Sequence, residues 1–370
     1  MQTCFTLKKL SLNKFVQRTF MLKKVISILI VVFIISFALL LEAGRVVNDD
    51  EQTFHTTPLE LKIPAGWPKP PTNIFVNNPL TEEGFQLGRK LFYDGRLSKD
   101  GNFSCASCHQ QFAAFATYDH DFSHGFNNQF TTRNAPPLFN LAWSKLYHWD
   151  GGVNHIELQA LSPMTAPNEM AENIDSVLKK IRKDTAYQRM FKAAFGTTLM
   201  NSQRMLKALA QFTGSLISSD SKYDKVKRGE TKFNSAEEHG YELFKARCNT
   251  CHKEPLFTDY SFRNNGLPVN DFLKDYGRMK ITGNPVDSLK FKVPSLRNVS
   301  VTFPYMHDGR LYSLYNVIDH YSKGIQQSAT LDSSLRNGIH FTDQEKTDIV
   351  YFLHTLNDTT FEKNKRFSQP

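Results

Sequence analysis

Cys105-Ala-Ser-Cys108-His109 and Cys248-Asn-Thr-Cys251-His252 decide how the rest of this chain is read. Both have the spacing Cys-x-x-Cys-His, in which two thiols add to the vinyl groups of a haem and the following histidine ligates its iron. One copy is a moderate signal, because a redox Cys-x-x-Cys is sometimes followed by histidine by chance. Two copies use four of the five cysteines, and the fifth, Cys4, lies in an N-terminal leader. Disulfide frameworks are rarely spaced this way. A structural zinc site built from the two pairs would leave both histidines without a role. The expectation is two covalently bound haem c groups, one on Cys105, Cys108 and His109 and one on Cys248, Cys251 and His252.

The totals agree with two such units. A chain of 370 residues has a prior of roughly two domains of ~100–200 residues, and 40% hydrophobic content supports a sizeable core. The net charge of +9 is concentrated at one end. Lys8, Lys9, Lys14, Arg18, Lys23 and Lys24 precede an apolar run without any acidic residue among them, and removing these six leaves +3. Haem propionates would bring the folded body near neutrality, so no cationic footprint for nucleic acid remains. Val25 to Leu41 is apolar except for Ser27 and Ser36 and follows Lys23 and Lys24, as an export signal does. It is close to the lower limit of the ~17–25 residues of a spanning helix. Leu41-Glu42-Ala43 is a poor cleavage site, so removal and retention as an inner-membrane anchor are both open. Either way the body is expected outside the cytoplasm, in the periplasm, where bacteria attach haem c. Met21 is an alternative start.

Along the chain, residues 1–44 read as the leader and 45–78 as a polar, proline-containing tether. Helical patterns then dominate: from Thr81 through Phe85, Leu87, Leu91 and Phe92, over Asn173 to Phe195, and over Ser202 to Ile217. Ser235-x-x-Glu238 and Thr342-x-x-Glu345 have the form of capping boxes. Gly88-Arg-Lys-Leu91-Phe92 before the first motif is echoed by Gly240-Tyr-Glu-Leu243-Phe244 before the second. The predicted fold is therefore mostly α, with two tandem cytochrome c-type domains at 79–220 and 221–370, each around one covalent haem c. The lysine-rich stretch Ser221 to Thr231 reads as a solvated loop between them.

Four further stretches carry a resemblance: Arg133-Asn134-Ala-Pro136, His148-Trp149-Asp150-Gly151-Gly152, Pro294-Ser-Leu296-Arg297-Asn298 and Pro304-Tyr-Met-His307-Asp-Gly309. With the two haem motifs they make the chain, from about Leu80 to Leu356, similar to the bacterial di-haem cytochrome c peroxidases and the related MauG enzymes. The resemblance implies a peroxidatic first haem and an electron-transferring second haem. The implied reaction is reduction of hydrogen peroxide to water with electrons from a small soluble donor protein, a cytochrome c or a cupredoxin. A second copy of the chain is a further partner the resemblance allows. Alternatives are a MauG-like oxidase acting on a protein substrate, and a non-catalytic electron-transfer cytochrome.

Residue by residue, the resemblance implies the following. His124, with His120 as competitor, is the displaceable sixth ligand of the first iron; a plain surface histidine is the bland alternative. Gln159 and Glu169, with Pro163 and Met170 in register, match the distal amide and carboxylate. A carboxylate held there can take a proton from one peroxide oxygen and deliver it to the other. Taken alone, Glu169 reads as an acid near the start of the helix after Asn173. Trp149 matches the aromatic between the haems. Ca²⁺ is implied between the domains, held by the Asn134 side chain and the carbonyls of Thr302 and Pro304, hard oxygen ligands of the kind it prefers. One position departs from the peroxidases: where they place the methionine ligand of the second iron, this chain has Tyr321, as the MauG enzymes do. Anionic oxygen favours ferric or higher-valent iron, and Met279 and Met306 are the remaining thioether candidates.

Overall fold

The structure is a computed structural model that describes residues 29–37 and 54–370. The basic leader, Cys4, Met21 and the rest of the apolar run lie outside the described residues. Among the described residues no helix is long and apolar enough to cross a membrane. Met1–Phe54 and His55–Pro370 are separate units, and the second carries both haem motifs.

In that unit the helices include α1 (Glu82–Phe92), α2 (Ile174–Ile181), α3 (Thr185–Phe195), α4 (Ser202–Gly214), α5 (Lys222–Lys227), α6 (Ser235–Arg247) and α7 (Asp343–His354), with short helices such as Leu314–Asp319 and turns between them. The Thr81 hydroxyl accepts the Gly84 N–H and so starts α1, which buries Phe85, Leu87, Leu91 and Phe92. The only strands among the described residues are β1 (Phe262–Arg263) and β2 (Phe291–Lys292), antiparallel with Phe262 opposite Lys292.

The sequence echo has a packing cause. A Cβ on Gly88 would lie 1.9 Å from the Ala208 carbonyl oxygen and 2.9 Å from Phe212 Cβ, so α1 crosses α4 at backbone contact. Gly240 repeats this on α6 against α7, with 2.0 Å to the Asp348 carbonyl and 2.9 Å to Phe352 Cβ. In both copies of the echo the glycine lets the helix before the haem motif lie against a later helix. Two large apolar cores follow, one containing Phe85, Phe92, Phe115 and Phe212, the other Tyr223, Phe244, Phe257 and Phe352, with a small third around Ala142, Trp143 and Leu256.

Local readings needed correction where tertiary partners intervene. The run from Asn173 to Phe195 is two helices, because Asp184 caps α3 by accepting the Ala186 N–H. The cap of α6 is Asn234 with Glu237, one residue earlier than expected, whereas Thr342 with Glu345 caps α7 as read. Ser221 to Thr231 is not simply a loop: Ser221 and Asp224 form a capping box, and α5 buries Tyr223 and Asp224. Asp224 accepts from both terminal guanidinium nitrogens of fully buried Arg297, each at 2.8 Å. Nor do residues 55–78 hang free as a tether. Pro58 bridges Thr81, Trp67 packs edge-on against Trp143 at 5.1 Å, and the Trp143 indole donates to the Pro68 carbonyl. At the other end Phe361 and Phe367 return to the first core, although they follow the second motif by more than a hundred positions.

Candidate active site

Ser104 and Ser107 form a capping box around the single turn Cys105–Cys108. That turn puts the two thiols on one face, as residues three apart on a helix are. Burial pushes the Cys105 thiol up to about 12 and raises Cys108 as well. Cys248, at the end of α6, is pushed up to about 12 for the same reason, and all four thiols are free and partly buried. Among the described residues no three His, Cys, Asp or Glu side chains converge as a metal cluster would require.

Both motif histidines are prepared as ligands. His109 Nδ1 lies 2.9 Å from the Phe115 carbonyl, and His252 Nδ1 lies 3.2 Å from each of the Phe257 and Pro294 carbonyls. A carbonyl only accepts, so Nδ1 carries the proton and Nε2 keeps its lone pair for iron. Burial holds the His109 imidazole far below its usual range, at about 4, and lowers His252 too, so both are neutral as ligation requires.

Gln159 follows the turn Ile156–Leu158, its carbonyl lies 3.4 Å from His148 Nε2, and its side-chain oxygen is buried without a hydrogen-bond partner. Buried polar atoms are rarely left so, and an orphaned one asks for a ligand group or a water. Glu169 sits in a loop knitted by the Glu169 N–H to Ala166, Met170 to Pro163 and Glu172 to Met164. Burial raises its carboxyl pKa, and its charge is among those that raise the Cys108 thiol, which sets it beside the first motif. The helix-start role belongs to Glu172 instead, which accepts the Asn173 N–H and pairs with Lys180 of α2 at 2.5 Å. The free Nε2, the paired thiols and the unpartnered amide fit a haem c here.

His124 is exposed, on a small hairpin in which it bridges Phe130, with its ring 5.7 Å from that of His120. Phe126 N–H donates to the Glu169 carbonyl at 2.7 Å, and a Cβ on Gly125 would lie 2.2 Å from the Asn168 carbonyl. The hairpin carrying His124 is thus fastened to the loop carrying Glu169.

The His148–Gly152 stretch joins the two halves. Trp149 donates its indole N–H to the Asn134 carbonyl at 2.8 Å and accepts the Lys292 N–H at 2.7 Å. The Lys292 ammonium donates to the Leu146 carbonyl, and burial lowers it to about 8. Arg133 spans Asp150 and Asp275, each at 2.6 Å. The Asn134 amide nitrogen is 3.2 Å from each of the His120 and Asp121 carbonyls, and Asp119 N–H reaches the Phe303 carbonyl, between Thr302 and Pro304. Lys292, Asp275 and the Arg133 bridge were not foreseen; only the contact across the halves gives them meaning.

At the second motif, Tyr321 lies in a π turn, His320–Gly324. Such turns inside helices often mark functional sites. Burial pushes its phenol up to about 12, with Cys248 and Cys251 contributing, so the phenol neighbours the second pair of thiols. Met306 is close by, its sulfur 3.4 Å from Asn265 Nδ2, while Met279 opens the short helix Met279–Thr282.

These features define a di-haem protein of the peroxidase class, and the chain belongs to the di-haem cytochrome c peroxidase/MauG family. The family description "Di-haem cytochrome c peroxidase" matches residues 82–232. The methylamine utilization protein MauG of Methylorubrum extorquens is 37% identical over 285 residues, covering 75% of this chain and 79% of that protein. Cytochrome c551 peroxidase of Nitrosomonas europaea is 34% identical over 275 residues, covering 73% and 79%. Among solved structures, a MauG-like protein associated with microbial copper homeostasis superposes with a TM-score of 0.77 at 34% identity, covering 84% of this chain and 99% of that one.

Proposed function

We propose that the protein is an exported di-haem c peroxidase that reduces hydrogen peroxide to water with electrons from a small soluble donor protein, entering at the second haem. The observation that carries this reading is the Glu169 carboxyl, raised by burial beside Cys108, with the orphaned side-chain oxygen of Gln159 in support. Haem iron held by His109 would supply the electron-transfer chemistry that cleaves the O–O bond. Glu169 accepts the proton of the near oxygen and returns one to the departing oxygen, and Gln159 orients the peroxide by hydrogen bonding. Its buried setting raises the Glu169 carboxyl and so eases its protonation. His124, on the hairpin fastened to the Glu169 loop, is the displaceable ligand, and Trp149 carries electrons between the halves. Asn134 with the Thr302 and Pro304 carbonyls would hold Ca²⁺, which the carbonyl-rich surroundings of the Asn134 amide support.

A second reading has its own support. Tyr321 beside Cys248 and Cys251 favours a MauG-like oxidase that withdraws electrons from a protein substrate through a tyrosine-ligated second haem. Titrating the purified holoprotein with hydrogen peroxide, before and after one-electron reduction, tests both. Turnover of peroxide coupled to oxidation of a reduced small cytochrome c is the expected result. Reaction of the fully oxidised protein that leaves such a donor unoxidised selects the second reading, and spectra unmoved by peroxide in either state overturn both.

A further inference from the structure

One side chain outside the assigned set meets the groups that compete at the second motif. Asn265 follows β1 and is fixed by its neighbours. The Asn264 amide donates to the Ser328 and Thr330 hydroxyls, and its oxygen accepts the Gly266 N–H, where the chain turns at a φ of 75°. The Asn265 carbonyl lies 3.0 Å from His320 Nε2. Its side-chain oxygen accepts the Leu267 N–H at 3.3 Å, which sets the orientation of the amide and leaves Nδ2 facing the Met306 sulfur at 3.4 Å. The same side chain neighbours the Tyr321 phenol, where it offsets part of the rise that burial imposes.

Both candidate ligands are themselves held. Tyr321 is presented by the π turn, and Met306 has a φ of 75°, a region that non-glycine residues adopt at a cost and only when their surroundings enforce it. Its carbonyl accepts the Gly309 N–H, and Tyr305 before it is bridged to Leu311. A thioether sulfur has two lone pairs and no proton, so an N–H directed at it takes one lone pair and fixes where the other points. A weak N–H···S contact suffices where the backbone already limits how far the methionine can swing.

We propose that Asn265 is the positioning residue that decides ligation at the second haem: its amide N–H anchors the Met306 sulfur in an orientation that leaves the iron to Tyr321. This rests on the reading of Tyr321 as the ligand, and the two fail separately. The test is the ferric absorption spectrum and the potential of the second haem in purified holoprotein. Wild type should lack the sulfur-to-iron charge-transfer band at the red edge. Asn265→Leu and the near-isosteric Asn265→Asp, which both remove the N–H donors, should gain it and raise the potential. Adding Met306→Leu should abolish the gain. Tyr321→Phe alone should still lack the band, and Tyr321→Phe with Asn265→Leu should show it. If wild type carries the band, the Tyr321 assignment falls and this inference with it. If wild type lacks it and the Asn265 variants that load haem keep the wild-type spectrum, Asn265 has no such role and Tyr321 stands.

Discussion

Glu169 and Glu172 are three positions apart and differ in what they touch. Glu172 accepts a backbone N–H and meets a lysine, whereas burial raises the Glu169 carboxyl and leaves it free to exchange a proton. Glu169→Gln should therefore slow peroxide turnover by ~10²–10⁴-fold, the range for a general acid–base group, with haem content and resting spectrum little changed. Steady-state assays would return Glu169 to a structural role if turnover stayed near normal. The pH dependence follows from the same burial. The proton-accepting form is the carboxylate, so wild-type turnover should fall as pH drops through a value above the usual glutamate range. Glu169→Gln should lose that limb, and a profile flat down to ordinary carboxylate values would contradict it.

The helix crossings determine how each haem motif is presented. Gly88 and Gly240 have no room for a methyl group, because the atoms in the way are the backbone carbonyls of Ala208 and Asp348. Backbone in a packed helix pair does not yield as a flexible side chain does. Gly88→Ala and Gly240→Ala should each cost about 1–3 kcal/mol by overpacking, read as a lower thermal midpoint. Ala at a surface position such as Lys225 on α5 is the control. A Gly88→Ala protein as stable as wild type would mean that α1 and α4 are not in backbone contact. This element was half legible beforehand: the repeated Gly-x-x-Leu-Phe was visible, but the partner helices lie more than a hundred residues away in the chain.

Across the whole molecule, two motifs mean two independent attachments. Cys105→Ala with Cys108→Ala, and Cys248→Ala with Cys251→Ala, should each remove about half of the haem stain retained on denaturing gels, as one thioether-linked haem per motif requires. Full stain in both double variants would overturn covalent attachment at these cysteines. The halves are not independent as packed bodies, since Phe361 and Phe367 close the first core from the far end of the chain and Trp149 is gripped from both sides.

The local pattern of residues was enough for the helical character and for the Thr81 and Thr342 caps, because each depends on neighbours within a few positions. Tertiary structure alone decided that the motif histidines keep Nε2 free, that Glu172 rather than Glu169 serves the helix start, and that the 55–78 stretch packs on the body. It also brought Asn265, Met306 and Tyr321 together from three separate segments. The physical reason is common to all of these. They are contacts between residues remote in sequence, formed only when apolar cores bring the backbone segments together, and no local periodicity or spacing encodes which carbonyl or amide will be waiting there.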